Sequence, residues 1–187
     1  LAMSIQSGCC NIGIGICALY SANSSNNNIA IGNRTLQLAA GGSCQNIALG
    51  FCAMFNAPAG VNNFAAGMCT LVINQGCNNI AQGYAALKCN TIGNNNFAAG
   101  LCALSFNLSG SNNTAIGSCA LGANTSGYNN IAIGCLSMAA NTYGNSNIAI
   151  GLCSGCLITT GTNNTIIGSL PAGAACVCTL LLGAGTC

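Results

Sequence analysis

Residues 127–136 read GYNNIAIGCL, and residues 110–121 read GSNNTAIGSCAL. Each stretch places an Asn four residues before a Gly, with a short apolar segment between them. This Asn/Gly pair occurs ten times in the chain, and successive glycines are 17 residues apart except for one interval of 18 and one of 16. The asparagines are Asn11, Asn28, Asn46, Asn63, Asn79, Asn96, Asn113, Asn130, Asn147 and Asn164, and the glycines are Gly15, Gly32, Gly50, Gly67, Gly83, Gly100, Gly117, Gly134, Gly151 and Gly168.

The repeated positions predict two short strands and their turns in each 17-residue period. In a strand the side chains alternate between two faces, so Ile131 and Ile133 share one face and Ala132 lies on the other. The following Gly marks a turn, because glycine reaches positive φ without steric cost. A Leu or Met four residues later, such as Leu121, supplies a second set of core residues. The Asn-Asn pair ahead of the strand is typical of turns.

So short a unit buries its apolar residues only by stacking on its copies. The sequence therefore predicts an all-β parallel solenoid of about ten coils over residues 1–170, and residues 171–187 form a terminal coil or begin a following segment. Neighbouring strands lie about 4.8 Å apart, so ten coils extend roughly 50 Å. The asparagines should form a ladder of amides along the stack, and the Ile and Leu residues should form apolar core columns.

The alanines at the middle of each predicted strand have two interpretations. They could form a flat stripe that packs against a neighbouring chain, or they could fill the interior of a narrow coil. The stripe comprises Ala30, Ala48, Ala65, Ala81, Ala98, Ala115, Ala132 and Ala149.

The composition excludes several classes of function. The 187 residues include two basic side chains, Arg34 and Lys88, and no Asp, Glu or His. Without a general base the hydroxyls and thiols lack an activating partner, so the sequence predicts no enzyme and no catalytic residues. Two cations provide no basic surface for nucleic acid. Asn or Gly interrupts every apolar run, which argues against a membrane span, and no motif indicates a cofactor.

Sixteen cysteines raise the questions of metal binding and disulfides. Cys153 and Cys156 have the spacing of half a zinc site, but a structural zinc needs four ligands and no matching second pair is present. Six cysteines lie two residues after the turn Gly: Cys17, Cys52, Cys69, Cys102, Cys119 and Cys153. Disulfides between neighbouring coils, such as Cys52 to Cys69 or Cys102 to Cys119, fit the expected Cα spacing but not the usual Cβ geometry.

Six asparagines begin an N-x-S/T sequence: Asn23, Asn33, Asn107, Asn112, Asn124 and Asn163. Of these, the sequence favours glycosylation only in the variable segment between repeats, at Asn23, Asn107 or Asn124, and only in a eukaryotic protein.

The repeat NN-[IT]-A-I-G-x-x-A-L, followed by N-T-x-G, resembles the repeats of bacteriophage and algal-virus tail-fibre-like proteins. Residues 112–124, 129–141 and 163–168 carry the resemblance, which extends over residues 8–170. The A-I-G core is more distantly similar to the β-roll heads of trimeric autotransporter adhesins. The resemblance implies a parallel homotrimer, an extracellular or virion location and attachment to a host surface. These families usually carry polar or charged residues where this chain has its cysteine column.

The leading interpretation is a fibre shaft, viral in origin, whose exposed variable segments contact a host glycan or receptor. A bacterial adhesin head is the first alternative, and a coiled-coil stalk with a membrane anchor would distinguish it. An ice-binding solenoid is the second. That function needs a regular Thr array, whereas Thr70, Thr114, Thr142 and Thr159 fall at scattered repeat positions.

Overall fold

The computed structural model describes residues 8–39, 41–177 and 179–183. These residues form an all-β parallel solenoid with eleven three-residue strands, one per coil. The strands are β1 (Ile12–Ile14), β2 (Ile29–Ile31), β3 (Ile47–Leu49), β4 (Phe64–Ala66), β5 (Ile80–Gln82), β6 (Phe97–Ala99), β7 (Thr114–Ile116), β8 (Ile131–Ile133), β9 (Ile148–Ile150), β10 (Thr165–Ile167) and β11 (Leu180–Leu182). They make one parallel sheet in chain order from β1 to β11.

The register of the sheet follows the sequence repeat. Ala115 of β7 pairs with Ala132 of β8, and Ala132 pairs with Ala149 of β9. The intervals of 18 and 16 residues do not shift it, since Ala30 still pairs with Ala48 and Ala65 with Ala81. The predicted solenoid is therefore confirmed. At the far end, β11 pairs with β10 through Ile166 and Leu181, so residues 180–182 continue the sheet.

All ten turn glycines have a φ between 115° and 138°. A side chain at these positions would also collide with the next coil. A Cβ on Gly117 would lie 2.6 Å from the carbonyl oxygen of Gly134, and a Cβ on Gly134 would lie 2.3 Å from that of Gly151. Glycine is thus required twice over, for the backbone conformation and for the close approach of the coils.

The predicted second strand of each coil is wrong. Two residues after the turn Gly, the backbone has a φ of 53° to 58° in nine coils, and four residues after it eight Leu or Met residues have a φ of 45° to 54°. Alternate left-handed residues prevent an extended strand. The sequence is consistent with this, because none of these positions holds a β-branched residue, for which positive φ is strained. The eight core residues are Leu19, Leu36, Met54, Leu71, Leu87, Leu104, Leu121 and Met138.

The core is narrow and consists mainly of alanine and leucine. The central alanines of the strands and the Leu or Met column are fully buried together. The coil between β9 and β10 departs from this scheme in both columns, because Gly155 occupies the Leu position and Ile166 replaces the central Ala. The Cδ1 atom of Ile166 lies 3.1 Å from where a Cβ on Gly155 would be. Ile166 therefore fills the space that the missing Leu side chain leaves.

Candidate interaction surface

The ten repeat asparagines form a continuous ladder along the interior. Asn113 illustrates the pattern, because its Oδ1 accepts hydrogen bonds from the backbone N–H of Asn130 at 3.0 Å and from Nδ2 of Asn130 at 3.2 Å. Its own Nδ2 donates to Oδ1 of Asn96 at 3.2 Å and to the carbonyl of Gly127 at 2.8 Å. Every polar atom of a fully buried amide is thereby satisfied. The last rung is Thr179, whose N–H donates to Oδ1 of Asn164.

A second asparagine ladder lies in the segment that the sequence analysis treats as variable. Its members are Asn74, Asn90, Asn107, Asn124 and Asn141, all fully buried. Nδ2 of each donates to Oδ1 of the one before it, at 2.6 to 2.9 Å. The signal was available in the sequence, since these residues lie seven positions after successive turn glycines. It was missed because the flanking residues vary.

The second ladder overturns two of the glycosylation predictions. Asn107 and Asn124 are wrong as candidate sites, because their amides are buried and hydrogen-bonded on both sides. Asn23 is exposed. The remaining three sequon asparagines, Asn33, Asn112 and Asn163, are also exposed.

The strand faces are the reverse of the prediction. The central alanines face the coil interior and are fully buried, so the second interpretation of the alanine stripe holds. The isoleucines on either side of them, which were predicted to form core columns, lie on the outer face; Ile131 is 37% exposed and Ile14 is 57% exposed. The physical reason is space: the interior already holds the Leu column and two asparagine ladders, and only a methyl group fits between them.

We call this outer surface the apolar face. It comprises the first and third residues of each strand and the residue after each turn Gly. Its exposed large side chains include Ile12, Ile14, Ile16, Ile31, Ile47, Phe51, Met68, Ile80, Tyr84, Leu101, Ile116, Ile131, Ile150, Leu152, Ile167, Leu180 and Leu182. Neither Arg34 nor Lys88 belongs to it. From the first strand residue to the residue after the turn Gly there are four residue spacings, so at about 3.3 Å per residue and 4.8 Å per strand the face covers roughly 700 Å² over eleven strands.

Part of that area belongs to polar members of the face, among them Asn33, Gln82, Thr114 and Ser118, so its apolar share is comparable to the largest apolar patch of a usual monomer, about 300–600 Å². The described part of the chain has no cavity of ligand size. None of the described residues forms a helix that is long and apolar enough to cross a membrane. Among the described residues, the apolar face is therefore the candidate interaction surface.

Thr142 and Thr159, two of the four threonines that were predicted to be scattered, belong to a column, whereas Thr70 and Thr114 lie elsewhere in the repeat. Thr125, Thr142 and Thr159 lie on successive rungs, and each Oγ1 donates to the backbone carbonyl of the next rung at 3.0 to 3.1 Å. Thr91 belongs to the same column, but Leu108 interrupts it. The hydroxyl hydrogens are thus directed along the solenoid axis rather than outward.

The cysteines two residues after the turn Gly are half-buried thiols in the structure. Burial raises the pKa of Cys52, the neighbouring thiol of Cys69 raises it further, and the charge of Arg34 opposes both. Among the described residues, no three side chains of the types that commonly bind metals come together. The column therefore offers pairs of thiols rather than a four-ligand site.

Comparison with protein families, with curated proteins and with solved structures finds no match to this chain.

Proposed function

We propose that this chain is the shaft of an extracellular or virion fibre and acts as a non-catalytic structural element. The observation that supports it best is the unbroken internal ladder, in which each coil bonds the next through strand, amide and turn. Because every coil repeats the same contacts, such a solenoid is stiff along its axis and extends by adding coils. The resemblance of the sequence repeat to those of tail-fibre-like proteins also supports a fibre shaft.

We further propose that the apolar face is covered by other copies of the chain in a parallel homotrimer. In a trimer each copy has two neighbours, so a face of roughly 700 Å² gives each pairwise contact about 350 Å² per partner. This is less than the roughly 800 Å² per partner of a stable two-chain interface, and the three contacts are therefore expected to form together. The face carries no charge that a partner would have to neutralise, and apolar burial at about 25 cal/mol per Å² favours association.

Residue sizes along the apolar face support packing in register. Phe64 begins β4 and Phe97 begins β6, and both strands end in Ala, at Ala66 and Ala99. Most other strands carry aliphatic residues at both ends, as Ile131 and Ile133 do. A large side chain is thus offset by a small one on the same rung. Surfaces that meet only water have no such constraint on volume, whereas parallel chains in register place equal rungs together.

The test of self-association compares Ile131→Lys with Tyr143→Lys, which adds the same charge to an exposed residue outside the apolar face. Analytical ultracentrifugation should give about three times the mass of one chain for the unmodified protein and for Tyr143→Lys. Ile131→Lys should sediment as a monomer with an unchanged circular dichroism spectrum. An unmodified protein that stays monomeric at tens of micromolar would contradict the proposal.

We propose that exposed aromatic side chains contribute to attachment to a host glycan or receptor. Tyr128 and Tyr143 are exposed outside the apolar face, and aromatic rings of this kind present flat apolar surfaces on which sugars stack. Binding to a glycan array should decrease when both are changed to Ala. Equal binding by the double variant would remove these residues from the proposal.

The alternatives differ in what they need from the surface. An adhesin head would share the ladder and the apolar face, and a following coiled-coil stalk in the encoding gene would identify it. An ice-binding solenoid needs outward-facing hydroxyls, but the column of Thr125, Thr142 and Thr159 donates its hydroxyl hydrogens to backbone carbonyls. A thermal-hysteresis assay should therefore give no activity.

A further inference from the structure

Two pairs of cysteines are stacked one rung apart. Cys52 and Cys69 lie in adjacent coils, as do Cys102 and Cys119. The N–H of Cys69 donates to the carbonyl of Phe51 at 2.9 Å, and the N–H of Cys119 donates to that of Leu101 at 2.8 Å. All four have nearly the same backbone conformation, with φ between 53° and 58°. Each pair is therefore related by a simple translation of about 4.8 Å, which applies to Cβ as well as Cα.

This spacing suits a bridging ion better than a disulfide. A disulfide brings its Cβ atoms to about 3.5–4.5 Å, closer than one rung. A linear thiolate–metal–thiolate unit with bonds of about 2.2–2.3 Å places its sulfur atoms about 4.4–4.6 Å apart, which is close to one rung. We propose that the Cys52/Cys69 and Cys102/Cys119 pairs each bind one soft monovalent ion of the Cu(I) type in two-coordinate geometry. Thiolates are the ligands that select such ions.

Binding of one Cu(I) ion to a cysteine pair releases both thiol protons. Two neutral thiols and one Cu(I) form two copper–sulfur bonds and release two protons, which leaves a complex with a net charge of −1. At Cys52/Cys69 the next residue in the column is Arg34, whose positive charge one rung from Cys52 favours a complex with a net charge of −1. At Cys102/Cys119 the flanking column residues are Ala85 and Leu136, which carry no charge. The pair beside Arg34 should therefore hold the ion more tightly.

The two sites are also accessible. All four sulfurs belong to half-buried residues on the surface of the rod, so an ion can reach them without unfolding the coil. Their rigid positions favour binding, because the ladder has already fixed both ligands. Copper here would clamp adjacent coils, independently of whether the apolar face binds other chains.

The experiment is an anaerobic competition for Cu(I) against the coloured chelator bicinchoninate. Each of three variants, Cys52→Ser, Cys69→Ser and the double variant, should bind one ion fewer than the unmodified protein. The lost ion is the same in all three, since both thiols are needed to hold it. Cys102→Ser should also bind one ion fewer, but the ion lost is that of the other pair. Cys17→Ser is the matched control, since Cys17 lies in the same column with a φ of 56° but next to Arg34 rather than a thiol; it should lose none.

Two further readouts separate a designed pair from adventitious binding at other thiols. Affinity for the lost ion should rise about 100-fold per pH unit below the thiol pKa, because two protons leave. Arg34→Gln should weaken the Cys52/Cys69 site and leave Cys102/Cys119 unchanged. The proposal is overturned if the Cys52→Ser/Cys69→Ser double variant retains the full number of ions, if the two single losses add, or if Cys17→Ser loses as much as Cys52→Ser.

Discussion

Oδ1 of Asn113 accepts two hydrogen bonds from Asn130, one from its backbone N–H at 3.0 Å and one from its Nδ2 at 3.2 Å. The same contact recurs along the rod and joins each coil to the next through both backbone and side chain. A single asparagine therefore determines whether polar atoms in two neighbouring coils are satisfied.

Asn113→Ala should destabilise the protein strongly. The change leaves the buried N–H of Asn130 without an acceptor and removes the donors to Asn96 and to the carbonyl of Gly127. Each buried polar group left unpaired costs about 1–3 kcal/mol, so the free energy of unfolding should decrease by about 3 kcal/mol or more. Denaturant unfolding measures it. Asn112→Gly is the control; Asn112 is exposed with a φ of 58°, so stability should change little. Similar losses from both variants would argue against a structural ladder.

Gly117→Ala should be among the most damaging single substitutions in the chain. Its φ is 129°, and the new Cβ would lie 2.6 Å from backbone atoms of Gly134, which no side-chain movement relieves. We expect a loss of at least about 3 kcal/mol, since positive φ and a backbone overlap both contribute. Gly173→Ala, where the nearest atom is the Sγ of Cys176 at 3.4 Å, should be nearly neutral. Thermal unfolding of both variants measures this, and equal losses of stability would contradict the requirement for glycine at position 117.

Gly155 and Ile166 stand where other coils have Leu and Ala, and substitutions at these two positions should be coupled in their effects on the free energy of unfolding. Gly155→Leu alone forces contacts with Ile158 and Ile166, and Ile166→Ala alone leaves a cavity that costs about 2–4 kcal/mol. The double variant restores the pairing of the other coils, so its loss should be at least about 1 kcal/mol smaller than the sum of the single losses. A double-mutant cycle in denaturant measures this, and strictly additive losses would contradict it.

The second ladder ends at an unsatisfied atom, and this suggests a way to extend it. Oδ1 of Asn141 is buried and has no donor among the described residues, because the next position in the column is Ile158. Ile158→Asn should supply that donor and be more stable than Ile158→Ala by about 1 kcal/mol. The advantage should disappear in an Asn141→Ala background. If Ile158→Asn keeps its advantage there, the ladder is not its cause.

Stability should be independent of pH over an unusually wide range. The chain has no Asp, Glu or His, so no side chain titrates between about pH 5 and 7. Above that range the folded state holds the Cys52 proton more tightly, because its pKa is raised; stability therefore declines as pH passes from the ordinary cysteine pKa to the raised one. Unfolding at pH 5, 7 and 10 tests this, because the decline begins only near the ordinary cysteine pKa; Cys52→Ser should reduce the decline. A marked difference between pH 5 and 7 would be incompatible with this charge distribution.

The backbone plan could be predicted from the sequence because it depends on residues with few alternatives. Gly117 and its equivalents adopt a φ that other residues resist, and Asn113 and its equivalents each bond the equivalent asparagine of the neighbouring coil. Periodicity therefore predicted the coils, the turns and the first ladder. Two changes of interval, at Gly50 and Gly83, did not disturb the prediction, because the extra or missing residue falls outside the strand.

The orientation of the strand could not be predicted, because alternation alone gives two faces without saying which is buried. Hydrophobicity favoured Ile131 over Ala132 for the core, but the interior is too narrow for it. The backbone of the second segment could not be predicted either, since leucine rarely adopts the positive φ that Leu121 has. What decides both is the volume left beside Leu121 and the second ladder, a tertiary property that a single coil does not reveal.

The most direct test of the stacked-coil account is the distance between equivalent asparagines on neighbouring rungs. Solid-state NMR on frozen protein labelled with 13C only at Asn Cγ measures it through carbon–carbon dipolar couplings. The structure predicts a dominant separation of about 4.8 Å, from Asn96 to Asn113 to Asn130 and onward. Couplings that correspond to separations beyond about 6 Å throughout would show that the asparagines are not stacked, and the account would fail.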